Sequence, residues 1–182
     1  PVKSAELLSH MGFPVHIVNM AHYHHVKLNT KMKSSYPEVD SYDKVMMETR
    51  LLAIVDIYQA LVGKRSYKKS WSPPSAVRYL DALAGVEFDM QTWDDFLHVI
   101  GRYPQSSLVE LSDNSIGFVM NVPKDLDRPQ VVVVRNAAGE DLRNHNLIDL
   151  EYEREISIVK DLDVQDVFGD TALDVFMNIK VN

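Results

Sequence analysis

Three histidines, His22, His24 and His25, crowd one short stretch of the chain, and a single carboxylate, Asp56, later interrupts the apolar run Leu51–Leu61. Imidazole nitrogen and carboxylate oxygen together form a ligand set that suits zinc, iron, manganese or nickel. An unpaired carboxylate stripped of water is costly, so such a group is held by a metal, a proton or a cation. In helical register Thr49, Leu52, Asp56, Gln59 and Gly63 share one face, a polar stripe on an otherwise apolar helix. His22 and His25 share another helix face, with His24 roughly a quarter turn away. From the residues alone, Asp56 fits a structural ion pair to an arginine at least as well as a metal, and the histidines divide evenly between ligation and solvation.

Composition narrows the chemistry. The 182 residues contain no cysteine, which excludes disulfides and thiolate sites and leaves histidine, carboxylate and water as the available metal ligands. The apolar fraction of 46% can furnish a core. No apolar run approaches the ~20 residues of a membrane span and there is no secretory signal, so we expect no membrane insertion and a cytoplasmic location. Residues 1–137 hold 15 acidic and 15 basic residues, whereas residues 138–182 hold 11 acidic against 4 basic. The acidic end is a poor surface for duplex nucleic acid. Basic clusters occur at Lys27, Lys31, Lys33 and at Lys64, Arg65, Lys68, Lys69. We read the first as a solvated face.

The elements that must position these groups change character near residue 104. Pro14 opens a helix over 15–26, and residues 27–40, rich in lysine and serine, form a loop. Ser41 is placed to cap a long helix ending near Gly63. Ser72-Pro73 opens a helix to about Ala84, and Asp89 caps another that carries Trp93, Phe96, Leu97 and Ile100 and stops at Gly101. Valine-rich strands then follow at 107–111, 116–122 and 130–135, with shorter ones at 147–150 and 156–159, and a short helix after Asp163. The expected fold class is α+β: a helical bundle over 1–103, then a small antiparallel β module over 104–182 with a terminal helix.

The segments AHYHHVKL, SSYP, RLLAIVDIYQALVGKRSYKKSWSPPSAVRYL, EFD and FLHVIGRYPQSSLVELSDNSIGFV, in that order, resemble the C-terminal half of HD-GYP domains. These are bacterial, metal-dependent phosphodiesterases that hydrolyse cyclic di-GMP. The resemblance spans residues 5–135 and is densest over 50–70. It implies a partial HD-type helical bundle in which His24 and His25 match the paired histidine ligands and Asp56 the aspartate ligand of divalent iron, manganese or a similar ion. Arg65 and Lys68 match basic positions near the ligand phosphates, and Tyr36 and Pro37 match the end of the GYP signature. The implied partner is a cyclic dinucleotide.

Departures from the family pattern are equally specific. Val26 stands where the family has glutamate, 29–35 replaces the glycine-rich part of the GYP motif, and no His-Asp dipeptide occurs. The chain begins Pro1-Val2-Lys3, directly in a helical pattern, and we expect a piece of a longer signalling protein whose HD half lies outside it. On that reading the isolated chain binds metal weakly and is inactive alone. The competing expectation is a catalytically inactive receptor, or a module for homodimerisation or binding a regulatory protein.

Overall fold

The computed structural model of the protein describes residues 1–63 and 70–179. Helices α1 (Val2–His10), α2 (Val15–Tyr23), α3 (Met47–Val62), α4 (Pro73–Asp81) and α5 (Met90–Ile100) precede the strands β1 (Leu108–Leu111), β2 (Ile116–Val119), β3 (Gln130–Arg135), β4 (Asp141–Asp149) and β5 (Ile158–Leu162). Short helices α6 (Val164–Phe168) and α7 (Ala172–Met177) follow. This is the expected α+β class. Two compact units emerge, one of residues 1–63 and 79–96, the other of 70–78 and 97–179. No helix among the described residues is long and apolar enough to cross a membrane.

In the helical unit, Ile54, Tyr58 and Leu61 of α3 are buried. Trp93 on α5 is also buried, stacked on Phe96 at 5.8 Å and close to Phe88 at 5.9 Å, with its indole N–H donating to Asp81 at 2.8 Å. A buried indole is stable only if its one donor is satisfied, and Asp81 meets that need. Asp89 accepts from the backbone N–H of Thr92 at 2.9 Å and from its hydroxyl at 2.8 Å, the expected cap of α5. Ser41 behaves differently from expectation. Its hydroxyl accepts from Asp43 N–H and caps a single 3₁₀ turn, Tyr42–Lys44, while α3 starts only at Met47. Val45 is buried with Val26 and Tyr42, and seating it in extended conformation breaks the helix there.

In the second unit the sheet order is β4-β3-β2-β1-β5, every neighbouring pair antiparallel. Alternation along the strands sorts the side chains onto two buried faces. Val109, Leu111, Val119, Val131 and Val133 pack with Leu150 on one face. Leu108, Phe118 and Val134 pack with Phe168 and Ala172 of the terminal helices on the other. Both faces being covered explains the near-continuous valine run of β3. β4 is longer than its apolar core Leu147–Leu150 suggested: its first half is mostly polar in sequence, yet Asp141 pairs with Arg135 of β3 at 2.7 Å, Leu142 packs against the core and His145 is buried. A Cβ on Gly117 would lie 2.5 Å from the Val132 carbonyl oxygen, so β2 approaches β3 at a distance only glycine allows.

Asp161 on β5 is a heavily bonded carboxylate of this unit. Arg78 donates to it at 2.7 Å, Ser75 at 3.2 Å, and the Ser72 hydroxyl donates as well. Burial works to raise its pKa, but the bonds from Ser72 and Arg78 outweigh that and hold it below the ordinary value of 3.8. A carboxylate whose folded pKa is depressed adds stability above its unfolded pKa, and that stability is lost as pH falls through the folded value. We therefore expect the stability gap between the wild type and Asp161→Asn to be constant near neutrality. It should shrink only below about pH 4, as measured by urea unfolding across a pH series.

Candidate metal centre

Helix α2 ends at Tyr23, three residues short of expectation, and this early stop creates the site. His24 N–H still bonds back to Met20 at 3.2 Å, after which Val26 N–H bonds to Tyr23 carbonyl at 2.9 Å and the chain turns. Val26, packed into the core with Tyr42 and Val45, pins that turn. The position that departs from the family's glutamate is thus an apolar anchor. Because helical register is lost, His22 and His25 do not share a face. His22 meets the Tyr23 ring edge-on instead, while the turn carries His24 and His25 together, their rings edge-on at 4.4 Å.

Asp56 completes the group from α3. One donor atom from each of His24, His25 and Asp56 lies within 4.8 Å of the others, the sole such histidine–carboxylate trio among the described residues. His25 Nε2 stands 3.8 Å from Asp56 Oδ2. The buried, water-stripped carboxylate suggested by the apolar run is not what the fold contains. Asp56 is 57% exposed, on a side of α3 away from Ile54, Tyr58 and Leu61. The expected polar stripe likewise divides, with Thr49 buried and Gln59 exposed. Asp56 and Gln59 mark the side of the helix that meets solvent, whereas Thr49, just before the apolar run, is drawn into the packed interior.

Each histidine is oriented through its other nitrogen. His24 Nδ1 lies 3.0 Å from the Ala21 carbonyl oxygen, which can only accept, so Nδ1 donates and Nε2 is the nitrogen left for a metal. His25 Nδ1 lies 2.5 Å from the Tyr36 hydroxyl. Such outer partners fix tautomer and ring direction in metal-binding histidines. Burial, followed by the neighbouring His24, lowers the His25 pKa against the opposing pull of Asp56. The neutral, ligating form is therefore favoured at neutral pH. The nitrogen–nitrogen–oxygen set and these outer bonds fit a divalent transition ion.

Tyr36 reaches His25 because the loop folds back on the turn: Tyr36 N–H bonds to the His25 carbonyl and Ser35 Oγ accepts from Lys27 N–H at 3.0 Å. Pro37 is joined to Tyr36 by a cis peptide bond and is not among the three residues of the trio. Arg65 and Lys68 lie outside the described residues. The trio opens into a cleft of about 430 Å³ whose remaining walls include Ile57, Tyr79, Leu83 and Phe88. Lys27, expected on a solvated face, instead lines this cleft in an ion pair with Glu87 at 2.6 Å. The two residues are 60 apart in sequence, and no local pattern announces their meeting.

Comparison with known proteins agrees with this architecture. Residues 1–92 match the HD domain family, and residues 108–169 match the KOW domain associated with HD domain. The cyclic di-GMP phosphodiesterase PA4108 of Pseudomonas aeruginosa is 27% identical over 135 residues, 74% of this chain and 32% of that protein. The cyclic di-GMP phosphodiesterase response regulator RpfG of Xanthomonas campestris is 34% identical over 64 residues, 35% of this chain and 17% of its own length. The 3'3'-cGAMP-specific phosphodiesterase 2 of Vibrio cholerae is 31% identical over 78 residues, 39% of this chain and 15% of its own length. The chain thus spans about a third or less of the length of these relatives. The match over 1–92 gives no support to the expectation that the HD half is missing from it. With the helical unit carrying the match and the histidine–aspartate trio set within it, the chain belongs to the HD domain family.

Proposed function

We propose that the chain belongs to an HD-GYP-like signalling phosphodiesterase and that His24, His25 and Asp56 hold a divalent metal, iron or manganese, at a site that hydrolyses a cyclic dinucleotide. The observation that carries this reading is the convergence of three donors from two separate elements on one edge of an open cleft, both histidines held by partners on their far nitrogens. The relatives named as cyclic di-GMP and 3'3'-cGAMP phosphodiesterases support the substrate class. When bound, such an ion polarises a phosphodiester and lowers the pKa of a coordinated water.

The remaining chemistry is the chain's own. The Ala21 carbonyl engages His24 Nδ1 and leaves Nε2 for the metal, and Tyr36 steadies His25. The Asp56 carboxylate offsets positive charge at the site. The half-exposed setting of the trio admits a charged phosphodiester without deep desolvation. On this reading Arg65 and Lys68 contribute cationic charge toward the phosphates.

The test is incubation of the full-length protein with manganese or ferrous iron and cyclic di-GMP, following linear product. Metal-dependent turnover is expected. Binding of the dinucleotide without turnover would replace the enzyme with a receptor, and neither binding nor turnover would reduce the module to a scaffold.

A further inference from the structure

The Lys27–Glu87 pair is an unexpected feature for a cleft wall. Both side chains are about four-fifths buried, at 21% and 18% exposed, and a largely desolvated ion pair is weak as a source of stability. Nor is it needed to hold the two segments together. Leu28 N–H donates to the Glu87 carbonyl at 2.7 Å, and Lys27 N–H donates to Ser35 Oγ at 3.0 Å, so both backbones are fastened independently. What the pair adds is a fixed carboxylate beside a fixed ammonium on the wall of the same cleft as the trio. Other walls of the same cleft are apolar, with Ile57 and Leu83, and the half-exposed Tyr79 supplies an aromatic ring.

We propose that Lys27, Glu87 and Tyr79 form a guanine-reading subsite in this cleft. The idea rests on the reading of the trio as a phosphodiester site. Guanine carries two adjacent N–H donors, N1–H and the N2 amino group, next to the O6 acceptor. A carboxylate accepts the donors while an ammonium donates to O6, so the pair matches one edge of guanine. Adenine presents an acceptor at N1 and a donor at N6, which sets acceptor against carboxylate and donor against ammonium. A site built to bond one pattern rejects the other because its polar groups would be left unpaired. The Tyr79 ring offers a stacking surface to either base, as aromatic contacts to bases do.

The experiment measures binding of GMP and AMP by calorimetry to the full chain with manganese present, for the wild type, Glu87→Gln, Lys27→Met and Tyr79→Leu. The wild type should prefer GMP by roughly tenfold or more, the scale of hydrogen bonds to charged groups. Glu87→Gln and Lys27→Met should each collapse that ratio toward unity, while Tyr79→Leu weakens both nucleotides and leaves the ratio intact. A purely structural pair would lower the melting temperature without moving the ratio, and that result overturns the proposal. So would equal binding of GMP and AMP by the wild type, or binding of neither. The two readings fail separately. A Glu87-dependent guanine preference without hydrolysis sinks only the reaction, whereas hydrolysis with no base preference sinks only this subsite.

Discussion

Alanine at His25 or at Asp56 is expected to reduce metal-dependent turnover of cyclic di-GMP by the intact protein by at least about a hundredfold. The scale follows from the outer partners of ligating histidines, whose loss alone typically costs about tenfold to a hundredfold. Removing a ligand should cost no less than removing what orients one. Tyr36→Phe therefore occupies the intermediate place. It removes the hydroxyl 2.5 Å from His25 Nδ1 but leaves both ring nitrogens in the molecule, and should lower manganese affinity by about tenfold to a hundredfold. His22→Ala is the contrasting variant. His22 stands in the same sequence cluster but outside the trio, and its loss should leave manganese affinity and turnover near wild type. Titration of manganese with each purified variant, followed by product analysis, separates the cases. Equal loss in the His22 and His25 variants would show that the cluster matters only for folding.

Trp93→Ala carries the largest expected cost in stability. The indole is fully buried, stacks on Phe96, approaches Phe88 and spends its N–H on Asp81. Truncating a buried Trp to Ala typically costs about 3–5 kcal/mol through lost burial and the cavity left behind. Here Asp81 also loses its donor. Phe88 lines the cleft, so the damage should reach the site, with weaker manganese binding accompanying a lower urea midpoint. Trp93→Phe keeps an aromatic ring in the cluster but loses the indole hydrogen bond and part of the buried volume, which should cost less than the alanine variant, about 1–3 kcal/mol. A midpoint for Trp93→Ala within the range of ordinary surface variants would mean that the ring cluster is not the support of the helical unit.

Much of this was legible from local pattern. Asp89 before an amphipathic stretch, Ser72-Pro73 at a helix start and the turn signals between valine-rich runs each depend on neighbours a few residues away, and each element starts where those signals stand, although α4 ends at Asp81 rather than near Ala84 and β2 at Val119 rather than Val122. Boundaries failed where a distant contact prevailed. Val26 and Val45 are drawn into one apolar cluster with Tyr42, and that burial ends α2 early and delays α3. β4 extends beyond its apolar segment because β3 offers it partners far along the chain, in backbone pairing and in the Arg135–Asp141 ion pair.

The site divides along the same line. Residue types alone determined that any metal in this cysteine-free chain is held without thiolate, and motif order singled out His24, His25, Asp56 and Tyr36. Only the tertiary structure decided that His22 is excluded, that Asp56 is hydrated rather than buried, and that Lys27 meets Glu87 across 60 residues to form a cleft wall. The reason is physical: ligand identity is a property of side-chain chemistry, written in the sequence. Which groups face one cavity, and how much water they keep, depends on how helices and turns pack to bury apolar surface, and that is settled by the whole chain at once.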